Sequence, residues 1–194
     1  LIEYQNLGWS NPAIYLPFVL GIASLCAFLW WQTKAKMPML PLSLFRVRNF
    51  SAGNIATALI YGALSMGGFI VVVFLQQVAG YPSTFAALAF LPVSIGNVLL
   101  SSWFGGLSGR HGPRLFMTFG PIVAGVGYIA MLRMGANVNY LTDVLPGVLL
   151  FTIGLAMTVA PLTSAVLGSI AAEQAGIGSA VNNAIARVAG LVAI

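Results

Sequence analysis

Five long apolar runs constrain the fold of this 194-residue chain more than any other feature. A helix needs about 20 mostly apolar residues to cross the hydrocarbon core of a bilayer. The runs are rich in leucine, alanine and glycine and do not alternate with polar residues, which argues against transmembrane strands. A sixth, truncated run begins near Ser179. The sequence therefore predicts an all-α, polytopic transmembrane helix bundle, with complete spans at residues 12–32, 52–78, 83–105, 115–134 and 144–168.

The composition supports a membrane environment. Apolar residues make up 59% of the chain and charged residues only 6%, whereas a soluble domain carries about 25% charged residues. So few charges cannot solvate a globule, and we expect lipid to cover most of the surface. The net charge of +5 comes mainly from two short loops rather than from a basic groove, so it does not indicate a nucleic-acid partner.

The basic residues predict the orientation of the spans. Four of them lie in loop 33–49, namely Lys34, Lys36, Arg46 and Arg48, and two more, Arg110 and Arg114, lie in the turn 105–114. The intervening segments 79–82 and 135–143 hold none, although Arg133 borders the second. Because basic loops stay in the cytoplasm, we expect loops 33–49, 105–114 and 169–178 there and residues 1–11 outside.

These features predict three parts along the chain. Residues 1–32 form an external segment and a first transmembrane helix, and residues 33–50 form a basic cytoplasmic linker at the membrane interface. Residues 51–194 form a helical bundle that we expect to be incomplete. The chain starts without methionine and stops inside an apolar run, which we interpret as an internal piece of a longer protein.

Polar side chains form stripes on three of the predicted helices. In lipid such residues turn toward other helices or toward a wet cavity. The fourth run has the fewest polar residues, with Thr118 beside several glycines and alanines. The stripes are Asn54, Thr57, Tyr61, Ser65 and Gln76 in the second span, Ser94, Asn97 and Ser101 in the third, and Ser179, Asn182, Asn183, Arg187 and Gly190 in the sixth.

Each stripe has two interpretations. Small and polar residues allow close helix contact, where hydrogen bonds contribute about 0.6–2 kcal/mol each. Alternatively, the larger polar groups line a water-filled path for a substrate. The candidates for this path are Asn54, Tyr61, Gln76 and Asn97, followed by Asn183 and Arg187. Arg187 lies about two turns into its span and could instead extend to the cytoplasmic interface.

The sequence argues against an enzyme. The single histidine, His111, lies in the predicted turn, and the three acidic residues fall outside the predicted spans. An intramembrane enzyme needs catalytic groups that converge, and this pattern does not supply them. We therefore expect no catalytic residues, cofactor or metal site.

The turn between the third and fourth spans resembles the signature loop of the major facilitator superfamily. Gly105-x-x-x-Gly109-Arg110-x-Gly112-x-Arg114 is similar to the family pattern G-x-x-x-D-R-x-G-R-R. Stretches that begin at Pro41, Phe74 and Ala160 resemble its 14-helix drug:proton antiporter branch. The resemblance implies that the first span is an extra helix before the second half of a transporter. It also implies that Gly105, Arg110, Gly112 and Arg114 shape a cytoplasmic turn, while Gly109 replaces the signature aspartate and lacks its charge.

The resemblance implies secondary transport by alternating access. The expected activity is proton-coupled efflux of small apolar or cationic compounds across the plasma membrane, as in multidrug resistance. The expected partners are the bilayer, the substrate, protons and an N-terminal half of the same polypeptide. Two alternatives remain open: an uptake permease of the same fold and a membrane scaffold subunit that transports nothing.

Overall fold

A computed structural model describes residues 12–35, 38–135 and 137–194, without the side chains of residues 13 and 14. The predicted external segment 1–11 and Lys36 lie outside the described residues. All regular elements of the described ranges are helical. The α-helices are α1 (Pro12–Lys34), α2 (Arg48–Gln77), α3 (Ser83–Leu88), α4 (Leu91–His111), α5 (Pro113–Met131), α6 (Leu145–Leu167) and α7 (Ala175–Val192).

The five predicted spans are confirmed. Five helical segments of the described chain are long and apolar enough to cross a membrane. They run over Tyr15–Lys34, Arg48–Gln77, Ser83–His111, Pro113–Met131 and Tyr140–Leu167. Helix α7 corresponds to the predicted sixth run and begins at Ala175, a turn before the predicted start. The chain is therefore an integral membrane protein built from helices.

The chain divides into two compact units, Leu1–Leu44 and Phe45–Ile194. In the first unit, α1 exposes apolar side chains along its described length, as a helix surrounded by lipid does. Gln32, near the end of α1, is buried, and its Oε1 accepts a hydrogen bond from the Leu40 backbone N–H at 3.3 Å. This bond ties the segment after α1 back to the helix.

Helix α6 is the central helix of the second unit. In its most apolar stretch 56% of the residues are buried, against 22% or less in the corresponding stretches of the other four spans. It packs against α2, α4, α5 and α7. Val148, Phe151 and Leu155 of α6 join Leu75 of α2 in the main apolar core. A helix that contacts four neighbours can position side chains from each of them around one space.

Helices α5 and α6 meet along a seam of glycines. A Cβ added at Gly154 would lie 2.6 Å from the Gly120 carbonyl oxygen and 2.8 Å from the Ala124 Cα. A Cβ at Gly127 would lie 2.5 Å from the Phe151 backbone nitrogen. Small residues permit this approach of two backbones in lipid. The seam explains why the fourth predicted span is rich in glycine and poor in polar residues.

The predicted ten-residue turn at 105–114 is wrong. Helix α4 continues to His111 and α5 begins at Pro113, so Gly112 is the single residue between them. Helical hydrogen bonds satisfy the backbone in a membrane, and this requirement outweighs the weak helix propensity of glycine. Gly112 has φ +84° and ψ 150°, a conformation that is essentially restricted to glycine.

The helix that enters the fifth span also starts earlier than predicted. A π-helical turn, Tyr140–Val144, leads directly into α6. The Asn139 Oδ1 accepts from the Leu141 N–H at 3.0 Å, and Asp143 Oδ2 accepts from the Asn139 N–H at 2.9 Å. This reciprocal capping extends the helix by four residues. Asp143 therefore lies in the first turn of a span, which corrects the expectation that all acidic residues lie outside the spans.

The start of α2 differs in the same way. It begins at Arg48, four residues before the predicted start of the second span. A 3₁₀ helix, Leu42–Arg46, precedes it. Ser51 Oγ donates to the Phe45 carbonyl oxygen and joins the first turn of α2 to this 3₁₀ helix. Helix formation thus continues through the basic residues that the sequence places in a linker.

Candidate functional site: a polar groove between α2, α6 and α7

A groove of about 590 Å³ opens between α2, α6 and α7, and we call it the polar groove. Each of the three helices contributes a hydroxyl, amide or guanidinium group to its lining. Its lining residues are Tyr61, Ser65, Thr163, Asn182, Asn183, Ala186, Arg187, Gly190, Leu191 and Ile194.

A smaller cavity of about 250 Å³ adjoins the polar groove, and we call it the side cavity. The two spaces share Tyr61 and Ser65 on α2. Asn97 of α4 contributes the amide of the side cavity, and its Oδ1 accepts from Ser101 Oγ at 2.6 Å. The two linings share these residues and together draw on α2, α4, α6 and α7, and we call them the polar surface.

Four of the six candidate residues lie on this surface. Tyr61 lines both spaces, Asn97 lines the side cavity, and Asn183 and Arg187 line the polar groove. The Asn183 Nδ2 donates to the Ser179 carbonyl oxygen of its own helix at 3.0 Å. Arg187 is exposed, so its guanidinium reaches open space without crossing a packed interface.

Asn54 lies in a helix contact beside the groove. Its side chain is 3% exposed, its Oδ1 accepts from Asn182 Nδ2 at 3.1 Å, and its Nδ2 donates to the Phe50 carbonyl oxygen at 2.9 Å. The bond from Asn182 holds α7 against α2, and the bond to Phe50 lies within α2. Since Asn54 lines neither the polar groove nor the side cavity, we leave it out of the proposed substrate path.

Gln76 lies far from Tyr61. It is exposed in the last turn of α2, fifteen positions after Tyr61, which corresponds to about 22 Å along the helix axis. A common stripe on a helix does not bring residues four turns apart into one site. Gln76 therefore also stays outside the proposed substrate path.

Three lining residues with a polar side chain were not among the candidates. Ser65 and Asn182 belong to stripes that the sequence identifies, and Thr163 follows Pro161 by two residues on α6. A Cβ at Gly190 would lie 2.7 Å from Ser65 Oγ, so the glycine lets α7 approach α2 at that point. The periodicity contained the signal for Ser65 and Asn182, but it could not show which helices would be neighbours.

The signature-loop residues lie at the junction of α4 and α5, away from the polar groove lining. Gly105 and Arg110 belong to the last two turns of α4, and Arg114 belongs to the first turn of α5. Both arginines are exposed, while Gly112 supplies the positive φ of the joint. Gly109 is helical and has open space around it.

Comparison with known proteins identifies relatives along almost the whole chain. The sequence model described as Major Facilitator Superfamily matches residues 3–194. The multidrug resistance protein Stp of Mycobacterium tuberculosis is 27% identical over 190 residues, which is 95% of this chain and 34% of Stp.

Two further relatives carry similar names. The probable multidrug resistance protein EmrY of Escherichia coli is 32% identical over 127 residues, covering 64% of this chain and 24% of EmrY. The lincomycin resistance protein LmrB of Listeria monocytogenes is 26% identical over 186 residues, covering 95% of this chain and 39% of LmrB. The aligned part thus spans between a quarter and two fifths of the length of these relatives.

Proposed function

Because the chain belongs to the major facilitator superfamily, we propose that it forms part of a secondary transporter that works by alternating access. In this mechanism two helical halves move around a site near the middle of the membrane. We propose that the second half is an N-terminal bundle of the same polypeptide. The polar groove and the side cavity would form this chain's share of the substrate path.

The observation that supports this proposal is a polar surface inside an apolar bundle. Tyr61, Asn97, Asn183 and Arg187 come from three helices and line two spaces of about 590 and 250 Å³ that share Tyr61 and Ser65. Polar groups within a membrane are costly unless they are paired or reach water. A wet substrate path accounts for their convergence, because helix contacts alone need no open volume.

The cargo and the direction of transport are also proposals. Relatives named for resistance to drugs and to lincomycin favour efflux of small, largely apolar or cationic compounds. We propose the plasma membrane as the location and protons as the coupling ion. The described acidic residues, Asp143 and Glu173, line neither the polar groove nor the side cavity, and we propose that a carboxylate of the other half carries the coupled proton.

Thiol labelling tests the wet path. In a full-length background with Cys26→Ser, single cysteines at Tyr61, Asn97 and Asn183 are treated with a charged, membrane-impermeant maleimide. Since thiolates form in water and not in lipid, we expect these three positions to react.

Matched controls come from the same helices. Leu59 on α2 and Val98 on α4 are 69% and 75% exposed on the apolar surface, so cysteines there should face lipid and resist the reagent. Asn54→Cys should also resist because the position is buried. Equal, slow reaction at the groove positions and at Leu59 and Val98 would contradict the wet path.

A flux assay tests coupling separately. Full-length protein in vesicles with an imposed pH gradient should move a neutral, lipophilic fluorescent dye, and an ionophore that exchanges protons for potassium should stop the movement. Dye movement that survives loss of the pH gradient would refute proton coupling while leaving transport in place.

A further inference from the structure

A buried hydrogen-bond chain links α2 to α7 beside the polar groove. The Asn182 Nδ2 donates to Asn54 Oδ1 at 3.1 Å and to Thr57 Oγ1 at 2.8 Å. The three side chains are 8%, 3% and 1% exposed, respectively. An amide nitrogen carries two N–H bonds. The contact with α2 therefore uses the full donor capacity of Asn182.

Two backbone carbonyl oxygens determine which atoms donate and which accept in this chain of hydrogen bonds. Asn54 Nδ2 donates to the Phe50 carbonyl oxygen at 2.9 Å, and Thr57 Oγ1 donates to the Gly53 carbonyl oxygen at 2.9 Å. A carbonyl oxygen can only accept, so Asn54 must turn its amide nitrogen away from α7. Thr57 has a single proton and gives it to Gly53. Helix α2 consequently presents two acceptors to α7.

The orientation of the Asn182 amide follows from these acceptors. The flipped amide would set its oxygen against two other oxygens, so the hydrogen-bond network assigns the nitrogen to α2. Within residues 12–35, 38–135 and 137–194, Oδ1 of Asn182 accepts no hydrogen bond, and every fully buried side-chain nitrogen or oxygen there has a partner. Oδ1 is therefore not fully enclosed, and the polar groove is the space that Asn182 lines.

We propose that Asn182 Oδ1 is a fixed hydrogen-bond acceptor for substrate, and that the preferred substrates are neutral, mostly apolar compounds with a hydroxyl or amide N–H group. This inference rests on the proposed function of the polar groove. Arg187 lines the same groove and disfavours a second positive charge there. An amide that cannot turn its N–H groups toward the ligand also discriminates against compounds that only accept hydrogen bonds.

A matched pair of ligands tests the proposal. Binding of 7-hydroxycoumarin and 7-methoxycoumarin to the full-length protein in lipid nanodiscs is measured by equilibrium dialysis, in a mildly acidic buffer that keeps the phenol neutral. We expect about fivefold tighter binding of the hydroxyl compound, the size of one net hydrogen bond. The variant Asn182→Leu should bring this ratio close to one, mainly by weakening the hydroxyl compound.

Two further variants separate recognition from structure. Gln76→Leu removes an amide about 22 Å along α2 from Tyr61, outside the proposed substrate path, and should leave the ratio unchanged. Thr57→Val keeps Asn182 but removes one of its two acceptors, so the ratio should fall about twofold as the amide gains freedom. Should Asn182→Leu fail to accumulate in membranes, Thr57→Val decides the outcome.

The results also distinguish this inference from the proposed function. An unchanged ratio in Asn182→Leu, or in Thr57→Val when the first variant does not accumulate, would overturn the role of Asn182 and leave the wet path standing. Parallel weakening of both coumarins would also overturn it, because that pattern reports a structural defect. Binding of neither coumarin by the unaltered protein overturns it as well, and thiol labelling then shows whether the groove itself fails.

Discussion

The α5–α6 seam and the α2–α7 contact bring helices together by different means. The seam depends on the absence of side chains at Gly120, Gly127 and Gly154, where backbone lies against backbone. The α2–α7 contact depends on the side-chain hydrogen bonds of Asn182. Two backbones in direct contact leave no room for an added side-chain atom. A side-chain hydrogen bond, by contrast, can be lost at a modest cost in stability. The comparison indicates a rigid side of the bundle and a more adaptable side that carries the polar groove.

The largest effect is expected at the seam. Gly154→Ala places a Cβ against the backbone of α5, so neither helix can yield without separating. We expect a loss of about 3 kcal/mol, at the upper end of typical overpacking costs. Thermal unfolding of the purified full-length protein measures the loss.

Gly125→Ala is the matched control, because its Cβ meets no atom within 4 Å on the same helix pair. Its melting temperature should stay close to that of the unaltered protein. Equal melting temperatures for Gly154→Ala and Gly125→Ala would remove the distinction between a rigid and an adaptable side.

A smaller effect is expected at the joint that anchors the seam. Gly112→Ala forces an L side chain to φ +84° and should cost about 2 kcal/mol in the same unfolding measurement. Gly109→Ala, three residues earlier in helical conformation with open space around it, should instead be neutral or stabilise by up to about 1 kcal/mol. The diagnostic result is a loss of stability in Gly112→Ala that Gly109→Ala does not share, and an equal loss in both variants would argue against the single-residue joint.

The α2–α7 contact should contribute less free energy of unfolding than the glycine seam. A double-mutant cycle with Asn54→Leu and Asn182→Leu measures the coupling of the two amides, which we expect to be about 1 kcal/mol. Coupling near zero would mean that the bond at 3.1 Å adds nothing to the α2–α7 contact. A coupling energy larger than the stability loss of Gly154→Ala would mean that the α2–α7 side, and not the seam, is the more rigid side.

The smallest effect is expected where α5 of the rigid side contacts α2 of the adaptable side. The Tyr128 hydroxyl donates to the Leu64 carbonyl oxygen at 3.3 Å, while its ring lies 4.7 Å from the Phe151 ring, centroid to centroid. Tyr128→Phe removes only the long hydrogen bond and should cost about 0.5 kcal/mol. Tyr128→Ala also removes the ring contact, so a similar cost for both variants would contradict a packing role for the ring.

The sequence predicted the helical class and the number of spans because long apolar runs have few other solutions in lipid. It failed where local composition and the membrane oppose each other. The glycines at 105, 106 and 109 indicate a turn in water, yet they lie inside α4. The start at Tyr140 depends on capping by Asn139 and Asp143, a short polar pattern that an apolar run conceals.

The candidate site shows the same limit. Asn54 and Tyr61 share one helix face, seven residues apart, and periodicity alone treats them alike. Helix α7 covers Asn54 through Asn182 and leaves Tyr61 facing open volume. A stripe predicts which side of a helix is polar. Whether a given polar group meets a neighbour or an empty space depends on tertiary packing, which no single helix encodes.

The one-residue joint at Gly112 leaves no slack between α4 and α5. A shift of α4 along its axis must therefore move the start of α5 as well. Since the glycine seam packs α5 tightly against α6, we expect the three helices to move together as one rigid body. Movement would then be taken up on the opposite side of the bundle, where α2 and α7 border the polar groove.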